Sequence, residues 1–242
     1  MKRFYKEAQV RTAEGATEVL LDARPVKTPA RNLLAVPSEV LGRAIADEWN
    51  GQGEMIDPWS MPLTGLANAA IDRIAPDPAT FAQGLAAYGE ADLLCYRADG
   101  PSGLVARQRE VWDPLLAWAR RRFDVDFEVV SGIIHRPQPE WTVQQLGKAL
   151  AARDPFELAA FSPLVTISGS LIIALALAEG AVDLDTAWAA ASLDEAWQAE
   201  QWGVDAEAAR VLEARRLDVA SARRFLELVR LRSIAFKSGG IT

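Results

Sequence analysis

Cys95 and His135 are the only thiol and the only imidazole in 242 residues. Thiol catalysis would therefore need these two side chains within hydrogen-bond reach of each other. Cys95 sits in Asp92-Leu93-Leu94-Cys95-Tyr96-Arg97, an apolar helical pattern that favours an inert core thiol over a reactive thiolate. His135, in Ile134-His135-Arg136-Pro137, reads as a loop residue, and a lone histidine excludes zinc sites of the multi-histidine type. Ser170, in Ser168-Gly169-Ser170-Leu171, lies within an apolar run where small residues allow helices to approach closely rather than supplying a nucleophile. The chain has no Gly-x-x-x-x-Gly-Lys-Ser/Thr phosphate loop, and Gly51-Gln52-Gly53 lacks the third glycine of a dinucleotide site. No two carboxylates have a recognisable glycosidase or metal spacing. The residues thus assign no catalytic, cofactor-binding or metal-ligating group, and the expectation is a protein that is not an enzyme. The competing reading is a small hydrolase or transferase using Cys95 and His135 or an unrecognised carboxylate pair.

The residue that local physics argues against most is Glu200. In residues 193–203, at about 100° per residue, Leu193, Ala196, Trp197 and Glu200 share one helical face, while Asp194, Gln198 and Gln201 point elsewhere. Glu195 and Trp202 fall roughly opposite Leu193. A carboxylate thus continues an apolar stripe close to the helix stop at Gly203, where the helix dipole disfavours negative charge. Something outside the helix must compensate it: an arginine of the chain's own last helix, or a basic group on a partner.

Composition narrows the partners. The 26 Lys and Arg against 33 Asp and Glu leave a net charge of −7, which repels phosphate backbones and argues against nucleic acid. One cysteine permits no internal disulfide and fits a reducing compartment. The N-terminus carries neither an apolar signal core nor an Arg/Ser-rich presequence. The longest apolar run, residues 164–178, is interrupted by Thr166, Ser168, Gly169 and Ser170 and is shorter than the roughly 20 residues a bilayer requires, so membrane insertion is not expected.

The elements that must hold these residues are α+β. Alternation over residues 4–11 and 17–26 predicts a hairpin, residues 33–36 a further short strand, and Ser38 caps a helix ended by Gly51 and Gly53. A second helix, capped by Thr64, covers residues 63–74. Pro76 and Pro78 then mark a boundary, giving a small N-terminal domain (1–76), a larger helical domain (77–236) and a flexible tail (237–242). Asp-Pro and Ser-Pro pairs predict helix starts at Pro78, Pro114, Pro155 and Pro163. The expected helices cover residues 78–97, 102–112, 114–122, 142–152, 155–161, 163–179, 185–202 and 205–234. Residues 123–130 alternate with period two and read as a strand or an extended connection, with no evident partner nearby.

Blocks along nearly the whole chain resemble one family. They include Arg3-Phe4-Tyr5-Lys6, Arg24-Pro25-Val26-Lys27-Thr28-Pro29, Glu48-Trp49 with Gln52, and Met61-Pro62-Leu63-Thr64 with Leu66-Ala67-Asn68. Further on come Asp92-Leu93-Leu94-Cys95-Tyr96-Arg97-Ala98, Gln108 with Trp112-Asp113-Pro114, and Leu193-Asp194-Glu195 with Trp197-Gln198 and Trp202-Gly203. The family comprises the assembly chaperones that handle the alpha subunit of the F-type ATP synthase catalytic head in mitochondria and alphaproteobacteria. The Ala69-Ala70 pair departs from the Asn-Thr or Thr-Ala expected beside Asn68. The resemblance implies a monomeric, ATP-independent chaperone that binds the free alpha subunit until beta subunits cover it. It implies a cytoplasmic protein here and a mitochondrial-matrix one among eukaryotic relatives. Glu195, Trp197, Gln198, Glu200 and Trp202 are the expected client contacts, with Arg24, Lys27 and Thr28 as a second, polar group.

Overall fold

A computed structural model describes residues 1–13, 15–132 and 134–231; the tail at 237–242 and the end of the helix expected to reach 234 lie outside them. The architecture is α+β, a small antiparallel sheet followed by a mostly helical remainder. Two compact units are present. One is Met1–Pro78 with Asp154–Ala160 and the chain from Ser221 on; the other is Ala79–Arg153 with Phe161–Ala220.

In the first unit, strand β1 (Ala8–Ala13) pairs antiparallel with β2 (Ala16–Leu21), which also pairs with β3 (Arg24–Pro25) and β4 (Ala35–Val36). Helix α1 (Glu39–Asn50) starts where the Ser38 hydroxyl accepts from the Leu41 amide, as the sequence predicts. Leu41 and Ile45 bury fully beside Val19 and Leu34. The helix approaches the sheet at Gly42, where an added Cβ would lie 2.6 Å from Thr17 Cγ2. Thr17 is buried and cannot yield. Gly42→Ala is therefore expected to destabilise the fold by about 1–3 kcal/mol through overpacking, read as a lowered midpoint in urea unfolding.

Helix α2 (Pro62–Ala69) runs on into a wider π-helical turn at Ala70–Ile74. Thr64 is not its cap. The Glu48 carboxylate of α1 does that work, accepting from the Leu63 amide at 2.7 Å, the Thr64 amide at 2.8 Å and the Thr64 hydroxyl at 2.7 Å. A carboxylate carried in from another helix satisfies the same orphan N–H groups. Nothing near Thr64 in sequence announces it.

In the second unit, α3 (Pro78–Ala86) gives way to short tight turns, so the helix expected to reach 97 ends early. Residues 125–129 are a connection without strand pairing; only Val130 of the alternating stretch enters a strand, β6 (Val130–Ser131), which pairs in parallel with β5 (Tyr96–Arg97). Between these strands lies α4 (Ser102–Phe123), which runs unbroken through Pro114. After α5 (Glu140–Ala151), α6 (Pro155–Ser168), which belongs to the first unit up to Ala160 and to the second from Phe161, likewise passes Pro163, and the Thr166 hydroxyl donates to the Ser162 carbonyl at 2.9 Å. Proline's fixed φ suits a helix, and what it removes is one hydrogen bond. Helix α6 stops instead at Gly169, at φ +66°, and α7 (Leu171–Ala178) begins afresh with every residue buried. The helix expected over 185–202 is two, α8 (Leu184–Ala191) and α9 (Leu193–Trp202), parted at Ser192. The last, α10 (Ala206–Arg230), belongs to the second unit up to Ala220 and to the first from Ser221. There Phe225 stacks on Phe156 at 6.5 Å, and the Leu228 carbonyl accepts from the Ser38 hydroxyl at 2.8 Å.

Candidate functional site

One hub of the second unit surrounds Asp92, which is fully buried. Its carboxylate accepts from the Ser170 hydroxyl at 2.7 Å and from the amides of Leu94 and Ile172, each at 3.0 Å. Burial pushes its pKa up to about 6 in spite of these donors. Ser170 in turn caps α7, accepting from the Ile173 amide at 3.0 Å. The Ser168-Gly169-Ser170 run is thus a helix break and a cap. Neighbouring Cys95 has no exposure, and burial, reinforced by the Asp92 charge, pushes its thiol up to about 12. No useful thiolate forms there at neutral pH. His135 is exposed and shares a 2.9 Å hydrogen bond with the Tyr96 hydroxyl. Among the described residues no three His, Cys, Asp or Glu side chains are grouped as metal ligands, and no helix is long and apolar enough to cross a membrane.

Helix α9 lies against α4. Leu193 is buried, and Asp194, off the apolar stripe by helical geometry, nevertheless accepts from Gln108 Nε2 at 2.8 Å. Gln108, itself buried, also holds the Ala98 amide through Oε1 at 2.8 Å. The Arg97 guanidinium, buried over Trp112, binds the carbonyls of Leu94 and Gln108 and the Asp113 carboxylate. The Asp92-to-Ala98 block is therefore the platform on which α4 and α9 are set.

Trp197 half-buries against α4. A Cβ on Gly103 would lie 2.7 Å from its ring, and the Arg107 guanidinium sits 4.9 Å from the ring centroid. The same guanidinium reaches Glu200 Oε1 at 2.8 Å and holds that carboxyl below its ordinary pKa. The compensating charge that Glu200 needs thus comes from α4, not from an arginine of α10. The pair is open to solvent, with 51% of the Glu200 side chain exposed. Glu195 and Gln198 are also exposed.

Past Glu200 the chain exposes large apolar side chains. Trp202 is 87% exposed and Val204 75%, and Val211 and Leu217 on α10 are exposed as well. Gly203, at φ +89°, turns the chain between the helices with a backbone that side chains resist. The Asp205 carboxylate then caps α10, accepting from the amides of Glu207 and Ala208, which lower its pKa. Arg216 ties α10 to Asp185 of α8 at 2.7 Å.

The second group of expected contacts splits. Arg24 and Lys27 are exposed, but Thr28 is buried, donating to Asp72 Oδ1 at 2.6 Å and accepting from the Asn32 amide at 3.1 Å. Asp72 also holds Ala30 and Asn32, closing that loop from α2's extension.

Atp12 of Paracoccus denitrificans is 42% identical in sequence, and its crystal structure matches with a TM-score of 0.90, covering 95% of this chain and 98% of that one. The chain belongs to the ATP12 chaperone family. A point variant of the Paracoccus protein gives the same figures. An Agrobacterium tumefaciens protein described as a chaperone is also 42% identical, with a TM-score of 0.91 over 94% of this chain and 86% of that one. Residues 2–120 match the family described as ATP12 chaperone protein. Mitochondrial protein atp12 of Schizosaccharomyces pombe is 25% identical over 214 residues, 84% of this chain and 74% of that protein. The chain is therefore a chaperone of the family that acts in ATP synthase assembly. Arg107 and Gly103, which frame Trp197, were not legible as site residues in the sequence; the only signal they gave was a small residue one turn before an arginine on α4.

Proposed function

We propose that this protein is an ATP-independent chaperone for the free alpha subunit of the ATP synthase catalytic head. It acts as a monomer in the bacterial cytoplasm and keeps the subunit from aggregating until beta subunits bind. It has no catalytic step. The observation that carries the reading is the exposed Trp202 and Val204, which follow Glu200 of the solvent-open Arg107–Glu200 pair directly in the chain. Exposed aromatic area marks a recognition surface, while rim charges set orientation and allow release. Glu195 and Gln198, exposed on α9, extend the polar rim. Trp197 supports the surface from beneath, since Gly103 and Arg107 cover its ring. A hydrolase reading finds no support at Cys95, whose thiol is buried and pushed up to about 12.

The test is light scattering of alpha subunit diluted from denaturant, with and without this protein and with no nucleotide. Aggregation is expected to be suppressed at a near one-to-one ratio. Unchanged scattering, or suppression that requires ATP, would overturn the reading.

A further inference from the structure

The first unit carries a groove of about 600 Å³ that the client surface on α9 and α10 does not include. Its floor is apolar: Tyr5, Leu21 and Val26 are buried there, and Trp49 is half-buried. Its rim carries Met1 and Phe4, 70% and 66% exposed, and exposed Met55 continues them through its antiparallel bridge to Lys2. Arg24 and Lys27 also line it, exposed and without an ion pair among the described residues. The rim's one carboxylate, Asp22, is committed to the backbone amides of Lys6 and Glu7. The Trp49 indole N–H is itself buried and has no acceptor among the described residues.

The walls are built rather than incidental. Arg3 staples the N-terminal segment in place by donating to the carbonyls of Tyr5, Lys6, Asn50 and Gln52. Asp22 and Ala23 form a tight turn with φ of +47° and +67°, and an alanine in that region is strained. The Asp22 contacts fasten this turn to the stapled segment. Arg24 and Lys27 are thereby presented on a rigid lip.

We infer that this groove is a second binding site, and that it takes an extended polypeptide segment in which apolar side chains alternate with carboxylates. The apolar side chains would fill the floor of Leu21, Val26 and Trp49, and the carboxylates would meet Arg24 and Lys27. Charge complementarity selects this occupant: the groove offers cations that are unpaired among the described residues, and the acid in its lining is already satisfied. The inference goes beyond the alpha-subunit reading, because the site is defined by peptide chemistry and sits apart in sequence from α9.

The experiment titrates the full-length protein with a fluorescein-labelled hexapeptide alternating leucine and glutamate. Arms with glutamine or lysine in place of glutamate, and sodium acetate alone, run beside it. The glutamate peptide is expected to bind at least tenfold more tightly than either analogue, and acetate is expected not to compete at millimolar concentration. Arg24→Glu with Lys27→Glu should weaken it at least tenfold with unchanged thermal unfolding, both residues being exposed. In ¹⁵N spectra the Trp49 indole resonance, assigned with Trp49→Phe, should move on titration. Equal binding of the glutamine peptide, full affinity in the double variant, or binding that leaves the Trp49 resonance in place would each overturn the inference. The titration contains no alpha subunit and the scattering assay contains no peptide, so the groove and the chaperone activity stand or fall separately.

Discussion

Asp92→Ala is expected to cost about 3 kcal/mol of folding stability, the largest loss of any single polar substitution in the second unit. Alanine strands the Ser170 hydroxyl and the amides of Leu94 and Ile172 in a site with no access to water. Each orphaned donor costs about 1–3 kcal/mol, and relief from burying a charge offsets part of the sum. Asp92→Asn keeps the shape and one acceptor oxygen, so its cost at pH 7 should be smaller, about 1–2 kcal/mol. The pH dependence carries a sign of its own. Burial raises the Asp92 pKa from 3.8 to about 6, so the folded state holds its proton where the unfolded state has lost it. Its contribution is fully present below pH 3.8 and fades as pH rises through 6. The stability gap between wild type and Asp92→Asn should therefore widen by about 2 kcal/mol as pH falls from 7 to 4, whatever the other carboxylates do to both proteins. Urea unfolding of both at four pH values measures it, and a gap constant with pH would mean that Asp92 titrates normally.

What the sequence made legible follows from which interactions are local. The Ser38 cap, the Gly203 stop and the first hairpin are set by residues a few positions apart, and they form where periodicity and capping rules place them. Glu48 capping α2, Asp72 closing the Thr28 loop and Asp92 receiving Ser170 all join residues far apart in sequence, and no local pattern announces such pairs. The prolines misled for a related reason. Asp-Pro and Ser-Pro are strong helix starts locally, but Pro114 and Pro163 lie in helices whose apolar faces, with Trp112, Leu115, Leu116, Leu164 and Val165 buried, keep them continuous. Tertiary burial outweighs one lost hydrogen bond. At the candidate site, the oddity of Glu200 was visible from its position on the helical stripe. Its partner was not, because Arg107 comes from α4, 93 residues earlier.

That partner decides what substitutions on α9 should do. Glu200 and Arg107 form an exposed pair, and such pairs add little to stability because solvent screens them and ordering two long side chains costs entropy. Glu200→Gln should leave the melting temperature unchanged, and any loss of alpha-subunit binding then reports contact rather than unfolding. Trp202 offers the larger effect. At 87% exposure it has little packing to lose, whereas a client that covers it would desolvate the whole indole. Trp202→Ala is expected to weaken alpha-subunit binding at least tenfold, or about 1.4 kcal/mol, with an unchanged unfolding midpoint. Calorimetric titration of freshly diluted alpha subunit measures the first and circular dichroism the second. Gly103→Ala separates the surface from its support: the new methyl would push Trp197 off α4 and tilt α9, lowering binding and stability together. If Trp202→Ala binds like wild type while Gly103→Ala does not, the client reads the position of α9 and not its exposed indole, and the contact surface must lie on another face of that helix.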